Sequence, residues 1–320
     1  MLNIEKIKCN SYIYTNGSYV VIPDTKLFIL RPDGSLVTCR KDLRNAGRIT
    51  FLPDNRLLLC CKDVIHMINL SDGQDIWTAP FTKSYLHSSH FALSENQTFA
   101  YTFGENRCGP FIARINLHTL ETDSFNLDRD VGATADILCD TEGIPCLLKT
   151  IGETIGGKQI LQSGVRIHDF DGIAPYSTTV WKAKWSSECR SSICFLKDTD
   201  HVLTSDLKVL HIQTGALVDL LENKQSWVPP SSGQLTQWFD STGQYLSILY
   251  QNANVVIDVQ NQRVIAQYAS SMRGALVDNQ YWICDEGKIV RKPFPLYEDP
   301  LPLKNFYGMD WYYASRPERW

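Results

Sequence analysis

One pattern recurs along the chain: a short apolar run, a turn of small or polar residues, and a second apolar run. The stretch "HMINLSDGQDIWTAPF", residues 66–81, shows it, and similar text returns as "IARINLHTLETDSFNL", "VLHIQTGALVDLLE" and "VVIDVQNQRVIAQY". Short runs rich in Val, Ile, Leu, Tyr and Phe, separated by Gly, Asp and Asn, predict β-hairpins. No long amphipathic helix pattern interrupts them. The chain is therefore predicted to be all-β and built from a repeat.

The hairpins combine into units of four strands, here called a to d in chain order. The second unit predicts strands at 48–53, 56–61, 64–70 and 75–81. The units begin near Ser11, Arg48, His90, Ala135, Arg190, Gln234 and Gly274. Their spacing of roughly 40–50 residues is the period of propeller blades. Short strands with frequent turns would also suit a sandwich, but the fixed four-strand period favours a seven-bladed β-propeller of four-stranded antiparallel blades.

The two ends of the chain compete to complete the last unit, which shows three clear strands and a doubtful fourth. The spare segment "LNIEKIK", residues 2–8, precedes the first unit and could close the ring as an N-terminal strand. The segment "LPLKNF", residues 301–306, is the alternative. We predict a propeller over 1–306, which leaves few open strand edges once closed. The aromatic tail 307–320 is predicted to pack on the propeller or to serve as a docking peptide.

The stretch "INLSDGQDIW" resembles the Asp-x-x-Thr-Gly-x-x-x-Trp segment of quinoprotein-like propeller repeats. The rhythm of the whole chain is similar to that of the WD40 and YVTN propeller superfamily. The Gly-His and Trp-Asp pairs of WD40 blades are missing, and a Trp stands at the quinoprotein position only as Trp77. The resemblance therefore implies the fold and does not imply quinone binding.

Composition narrows the function classes. The chain has 320 residues, a net charge of -4, 43% hydrophobic and 21% charged residues, as expected of a soluble globular protein. This charge gives no global attraction to nucleic acid or anionic membranes. We find no signal-peptide pattern and no apolar window of about 18 residues, which favours a cytoplasmic protein. The ten cysteines form no Cys-x-x-Cys pair and are expected to be reduced, buried thiols.

Blade geometry separates two sets of connections. The a–b and c–d turns share one face and are short, whereas the d–a and b–c connections share the other and are irregular. The irregular set covers residues 42–47, 82–89, 104–110, 128–134, 152–163, 183–190 and 225–233. Variable loops on a rigid scaffold are common binding sites. Because Trp, Tyr and Arg often anchor interfaces, the candidate protein-binding residues are Tyr85, Arg107, Arg129, Trp185, Glu188 and Trp227. Each Trp could instead simply cover the end of a blade.

Catalytic and metal-binding patterns are weak. His66, His168 and His211 are predicted to lie in strand c, and His87 and His90 lack a third metal ligand nearby in the sequence. The segment "GETIGGKQ" lacks the spacing and following helix of a phosphate-binding loop, so we interpret it as a mobile loop. We predict no catalytic residue, cofactor or metal.

The favoured function is that of a non-enzymatic, monomeric interaction protein. Its role would be that of a scaffold, an assembly factor or an immunity-type inhibitor that binds another protein through the d–a and b–c face. One alternative is a propeller enzyme of the lactonase or lyase type, with His90, Asp136 and Asp240 near the channel. Another is a protein that binds a small ligand, such as a carbohydrate, in the central channel.

Overall fold

The computed structural model describes residues 4, 7–9, 11–80, 85–86, 91–106, 109–127, 133–155, 158–168, 176–182, 186–187, 194–195, 201–203, 208–211, 214, 216–219, 234–238, 245–250, 253–258, 261, 263–269, 274–294 and 301–302. Within these ranges, no helix has the length and apolarity that a membrane crossing would require. Regular structure is almost entirely β. The tail 307–320 lies outside the described residues.

Seven antiparallel sheets follow one another along the described part of the chain. Sheet 1 contains β1 (Tyr14–Thr15), β2 (Val20–Pro23), β3 (Leu27–Leu30) and β4 (Leu36–Arg40). Sheet 2 contains β5 (Gly47–Leu52), β6 (Arg56–Cys61), β7 (Val64–Asn69) and β8 (Asp75–Pro80). Sheet 3 contains β9 (Tyr85–Leu86), β10 (Ala92–Leu93), β11 (Phe99–Asn106), β12 (Gly109–Asn116) and β13 (Thr122–Asn126). Sheet 4 contains β14 (Ala133–Cys139), β15 (Pro145–Ile155), β16 (Lys158–His168), β17 (Tyr176–Lys182) and β18 (Ser186–Ser187).

The remaining three sheets continue the series. Sheet 5 contains β19 (Cys194–Phe195), β20 (His201–Leu203), β21 (Lys208–His211) and β22 (Leu217–Asp219). Sheet 6 contains β23 (Gln234–Trp238), β24 (Tyr245–Tyr250), β25 (Ala253–Asp258), β26 (Arg263–Ala269) and the distant β30 (Leu301–Pro302). Sheet 7 contains β27 (Ala275–Val277), β28 (Gln280–Asp285) and β29 (Lys288–Pro293). Each sheet begins close to one of the seven predicted unit starts, so the repeat was assigned correctly.

Local turn chemistry explains why the hairpins form where they do. Asp54 and Asn55, which join β5 to β6, both have positive φ angles of 59° and 57°. Asp278 and Asn279, between β27 and β28, repeat this with 47° and 57°. Two consecutive left-handed residues define a type I′ turn, whose twist matches that of paired strands, and Asp and Asn tolerate that conformation. The recurring "DN" pair thus sets the hairpin register.

The core lies between neighbouring sheets. In β6, Leu57, Leu59 and Cys61 pack with sheet 1, whereas Leu58 and Cys60 pack with sheet 3. A strand that is buried on both faces reads as a continuous apolar run, which explains the text "LLLCC". Burial raises the pKa of the Cys60 thiol to about 11. The fully described cysteines Cys9, Cys39, Cys60, Cys61, Cys139, Cys146 and Cys284 are all free.

The N-terminal segment joins the last sheet. Lys8 forms an antiparallel bridge with Lys288 at the start of β29, and the Cys9 amide donates to the Gly287 carbonyl at 2.9 Å. Ile7 and Ile4 enter a core shared by sheets 1 and 7. In the described residues this closure is a single bridge rather than the expected full strand. The competing segment does not complete sheet 7, because β30 pairs with β26 of sheet 6.

A polar contact also connects the first and last sheets. The Arg291 guanidinium carbon on β29 lies 4.6 Å from the ring centroid of Trp282 on β28. Its Nη2 atom donates to the backbone carbonyl of Asp33, in the turn between β3 and β4, at 3.0 Å. Cation–π stacking and this hydrogen bond therefore support the junction where the repeat begins and ends.

Candidate interaction surface

The two ends of the sheets differ in construction. At the turn end, where strand a joins b and strand c joins d, side chains satisfy the turn backbone. The Asn116 Oδ1 atom accepts from the amides of His118 and Thr119 at 2.9 and 3.0 Å, and the Asp140 Oδ1 atom accepts from Ile144 at 2.9 Å. These are Asx turns, in which the polar atom serves the local backbone. The structure supports the prediction that these residues are structural.

The connection end carries the b–c hairpins, and two of them are longer than the rest. Strands β6 and β7 have 6 residues each, whereas β11 and β12 have 8. Strands β15 and β16 have 11 each. Among the described residues, the inner strand β14 pairs with β15 up to Ala133 and Thr150. Beyond that pair, Ile151 pairs with Ile160 and Ile155 with Lys158, so the hairpin continues for three residues on its β16 side, about 10 Å at about 3.3 Å per residue.

This hairpin corrects the prediction of a loop over 152–163. Ile155 pairs with Lys158, so the two residues between them, Gly156 and Gly157 in the sequence, connect the strands. Gly-Gly between two apolar-containing runs is a two-residue hairpin signal. That signal was present in "ETIGGKQI", but the segment was compared only with a phosphate-binding loop and interpreted as a mobile loop.

Two short strands add to the connection end of sheets 3 and 4. Tyr85 and Leu86 of β9 pair with Glu105 and Gly104 of β11. Ser186 and Ser187 of β18 pair with β16 at Ile160 and Gln159. The two sheets pack against each other through a common core. We call the "tip surface" the set formed by β9, residues 104–106 and 109, residues 151–155 and 158–160, and β18.

One of the six candidate protein-binding residues lies on the tip surface, and the other five are not described by the structure. The backbone of Tyr85 lies in β9 and therefore on the tip surface. The other five candidates, Arg107, Arg129, Trp185, Glu188 and Trp227, lie outside the described residues. Along the chain, Arg107 falls between β11 and β12, Arg129 between β13 and β14, and Trp185 and Glu188 on either side of β18. Trp227 instead belongs to the connection from sheet 5 to sheet 6.

The histidines and aspartates considered for catalysis or metal binding are described only in part. The described residues contain no group of three or more His, Cys, Asp or Glu side chains that could hold a metal ion. His66, His168 and His211 lie in β7, β16 and β21, the third strand of their sheets, as predicted. Asp136 is buried on β14. His87, His90 and Asp240 lie outside the described residues.

A polar network at the rim connects the outer strands of sheets 1 and 2. Arg40 at the end of β4 binds Asp42 at 2.6 Å and Asp75 of β8 at 2.7 Å. The second oxygen of Asp75 lies 3.0 Å from His66 Nδ1. The hydrogen bond from Arg40 lowers the pKa of Asp42 to about 2. A carboxylate this acidic is a poor proton acceptor at neutral pH, so we assign the network a structural role.

Comparison with known proteins defines the fold class. No family model and no curated protein sequence matches the chain. A solved structure of hydrazine synthase from Kuenenia stuttgartiensis matches with a TM-score of 0.58 and 11% identity, over 93% of this chain and 99% of that chain. The β-propeller domain of Cps50 (Swd1) from Myceliophteria thermophila matches with a TM-score of 0.54 and 12% identity, over 90% and 98%. A streptogramin B lyase matches with a TM-score of 0.54 and 9% identity, over 90% and 94%.

These likenesses, together with the successive antiparallel sheets, show that the chain has a β-propeller fold. Identities of 9–12% carry information about fold alone. The matched structures include a synthase and a lyase. Since one fold hosts many unrelated functions, the function must be argued from the surface.

Proposed function

We propose that this propeller is a non-enzymatic interaction protein that binds a partner protein through the tip surface. The observation that carries the proposal is the long β15–β16 hairpin, which continues past the Ala133–Thr150 pair and is joined by β18. Because β18 adds a third strand at Gln159 and Ile160, this end of sheet 4 is a supported platform, and segments that vary on a rigid scaffold are common binding sites. Scaffold, assembly factor and inhibitor are all compatible with such a surface.

Two further observations support the proposal. Tyr85 lies on the tip surface, and the chain places Arg107, Trp185 and Glu188 directly beside its strands. Trp, Tyr and Arg are the residue types that most often dominate binding energy at interfaces. The free cysteines support our further proposal that the protein works in a reducing compartment such as the cytoplasm.

The test uses a variant that lacks the end of the β15–β16 hairpin and keeps the rest of sheet 4. The variant replaces residues 152–159 with Asn-Gly, so that a two-residue turn connects Ile151 to Ile160. These two residues already pair in the wild-type hairpin. Asn-Gly favours the type I′ turn that a two-residue hairpin requires. The tagged wild-type protein and this shortened variant are used to recover partners from the native cell, and a stoichiometric partner is then purified and titrated calorimetrically.

We expect the shortened variant to bind the purified partner at least about tenfold more weakly, which corresponds to about 1.4 kcal/mol. The matched control is Glu95→Ala with His118→Ala, two exposed positions at the turn end. Trp185→Ala and Trp227→Ala, made separately, test which connections contribute. A folded shortened variant that binds with wild-type affinity would contradict the assignment of the tip surface.

A further inference from the structure

Arg48 has an unusual backbone conformation. Gly47 pairs with Cys60 and Thr50 pairs with Leu58, so two residues of β5 oppose the single residue Leu59. This is a β-bulge, and Arg48 adopts a φ of 54° within it. Glycine normally occupies the left-handed position of a bulge because a Cβ is unfavourable there. Strained positions of this kind concentrate at functional sites.

The side chain of Arg48 is equally unusual. The residue is only 6% exposed, and its Nη1 atom donates to the Thr102 hydroxyl on β11 at 2.9 Å. Its Nη2 atom is buried and has no hydrogen-bond partner among the residues that the structure describes. Burial lowers the pKa of the guanidinium to about 10, so the group stays charged at neutral pH. A buried charge with an unused donor normally has a compensating partner.

The neighbours of the Arg48 guanidinium indicate the side from which a compensating group would approach it. Thr102 lies two residues before Gly104, where β9 pairs with β11. The Thr50 hydroxyl accepts from the Phe91 amide at 2.9 Å and joins sheets 2 and 3 beside the bulge. The group thus lies between these sheets, close to the tip surface. At Gly47, no heavy atom of a described residue lies within 4 Å of where a Cβ would stand.

We propose that Arg48, positioned by Thr102 and the β5 bulge, forms a binding site for a carboxylate group that enters between sheets 2 and 3. The planar guanidinium matches the two oxygens of a carboxylate better than a point charge would. A monoanion neutralises the single buried charge, whereas a phosphate dianion would leave a net buried charge. The carboxylate belongs either to a small free acid or to an acidic residue of the protein partner proposed above. In the second case the inference rests on the proposed function.

The first experiment uses the protein alone and therefore does not depend on any partner. Urea unfolding is measured in increasing sodium acetate, with sodium chloride added to hold the ionic strength constant. A ligand that binds only the native state stabilises it as its concentration exceeds its dissociation constant. We expect acetate and propionate, both monoanions, to raise the unfolding midpoint of the wild-type protein logarithmically with concentration, whereas a general salt effect would be linear.

Two variants identify the site. Arg48→Gly removes the guanidinium and suits the positive φ, so it is expected to fold and to lose the response to acetate. Glu95→Ala, an exposed substitution at the turn end, is expected to keep it. The hairpin-shortened variant is also expected to keep it, since residues 152–159 do not include the site. The acetate response would therefore be the same even if the tip surface proved not to bind a partner.

Measurements with the purified partner then distinguish the two sources of the carboxylate. If the carboxylate is the partner's, Arg48→Gly weakens partner binding at least about tenfold relative to Glu95→Ala, and acetate competes with the partner. If it is a free acid, partner affinity is equal in the two variants while the acetate response still requires Arg48. The proposal is overturned if wild type shows no response to either small carboxylate, or if Arg48→Gly responds as wild type does. Should Arg48→Gly fail to fold, the shape of the wild-type acetate response decides: a logarithmic dependence on concentration supports a site, and a linear one overturns it.

Discussion

The junction between the first and last sheets can be tested with a single methyl group. Gly34, in the turn between β3 and β4, has a φ of 87°, and a Cβ built there would lie 2.2 Å from Arg291 Nη2. That Nη2 atom is the donor to the Asp33 carbonyl at 3.0 Å. Gly34→Ala must therefore displace the Arg291 side chain from its hydrogen bond and from its position over the Trp282 ring.

Gly17 provides a matched control for the backbone. Its φ is 88°, and no heavy atom lies within 4 Å of where its Cβ would stand. Both substitutions impose the left-handed penalty of roughly 1–2 kcal/mol. Gly34→Ala additionally loses a hydrogen bond worth about 1 kcal/mol and part of a cation–π contact worth about 0.5–1 kcal/mol. We expect Gly34→Ala to be more destabilising than Gly17→Ala by about 1–2 kcal/mol.

The assay is equilibrium unfolding in urea, followed by tryptophan fluorescence, with stability taken from the midpoint and slope. Each glycine variant is made in the wild-type and in the Arg291→Ala background to complete a double-mutant cycle. In the Arg291→Ala background the two glycine substitutions should cost the same. Equal costs in the wild-type background would refute the reasoning, as would a difference that survives the loss of Arg291.

Three further predictions concern the core, the rim and the N-terminal segment. Gly274→Ala should destabilise the protein by about 2–3 kcal/mol in urea, because the new Cβ would lie 2.4 Å from the rigid carbonyl of Trp282; a loss no larger than that of Gly17→Ala would contradict this. Since Arg40 holds the pKa of Asp42 below its ordinary 3.8, at about 2, the stabilisation is present above the ordinary value and is lost as the pH falls through the folded value. Asp42→Asn should thus lower the free energy of unfolding in urea near pH 5 by less than about 1 kcal/mol, because Asp42 is 61% exposed. A difference in stability between wild type and variant that fails to narrow toward pH 2.5 would argue against this. Ile7→Ala should lower the thermal midpoint by the equivalent of about 2–4 kcal/mol, since Ile7 is 3% exposed in the shared core; an unchanged midpoint would show that the segment does not dock.

Much of the fold could be predicted because its determinants are local. In sheet 2 the predicted strands begin and end within one residue of the observed ones. The pair Asp54–Asn55 sets a hairpin through its own backbone preference, and the run 57–61 is apolar because both faces of β6 are buried. These signals involve residues that are neighbours along the chain, so the sequence alone determines the repeat and its turn end.

The structure of the connection end could not be predicted from local sequence, because it depends on tertiary contacts. Residues 85–86 and 186–187 carry no strand pattern of their own, and they become strands because longer strands offer them open edges. Leu301–Pro302 joins sheet 6 rather than sheet 7 for the same reason. Arg48 looked like the first residue of an ordinary strand, and only the packing of β5 against β11 buries its charge. Local propensity determined which segments are strands and turns, whereas edge pairing and burial, which join residues far apart in the chain, decided which short segments became additional strands and which charge was buried.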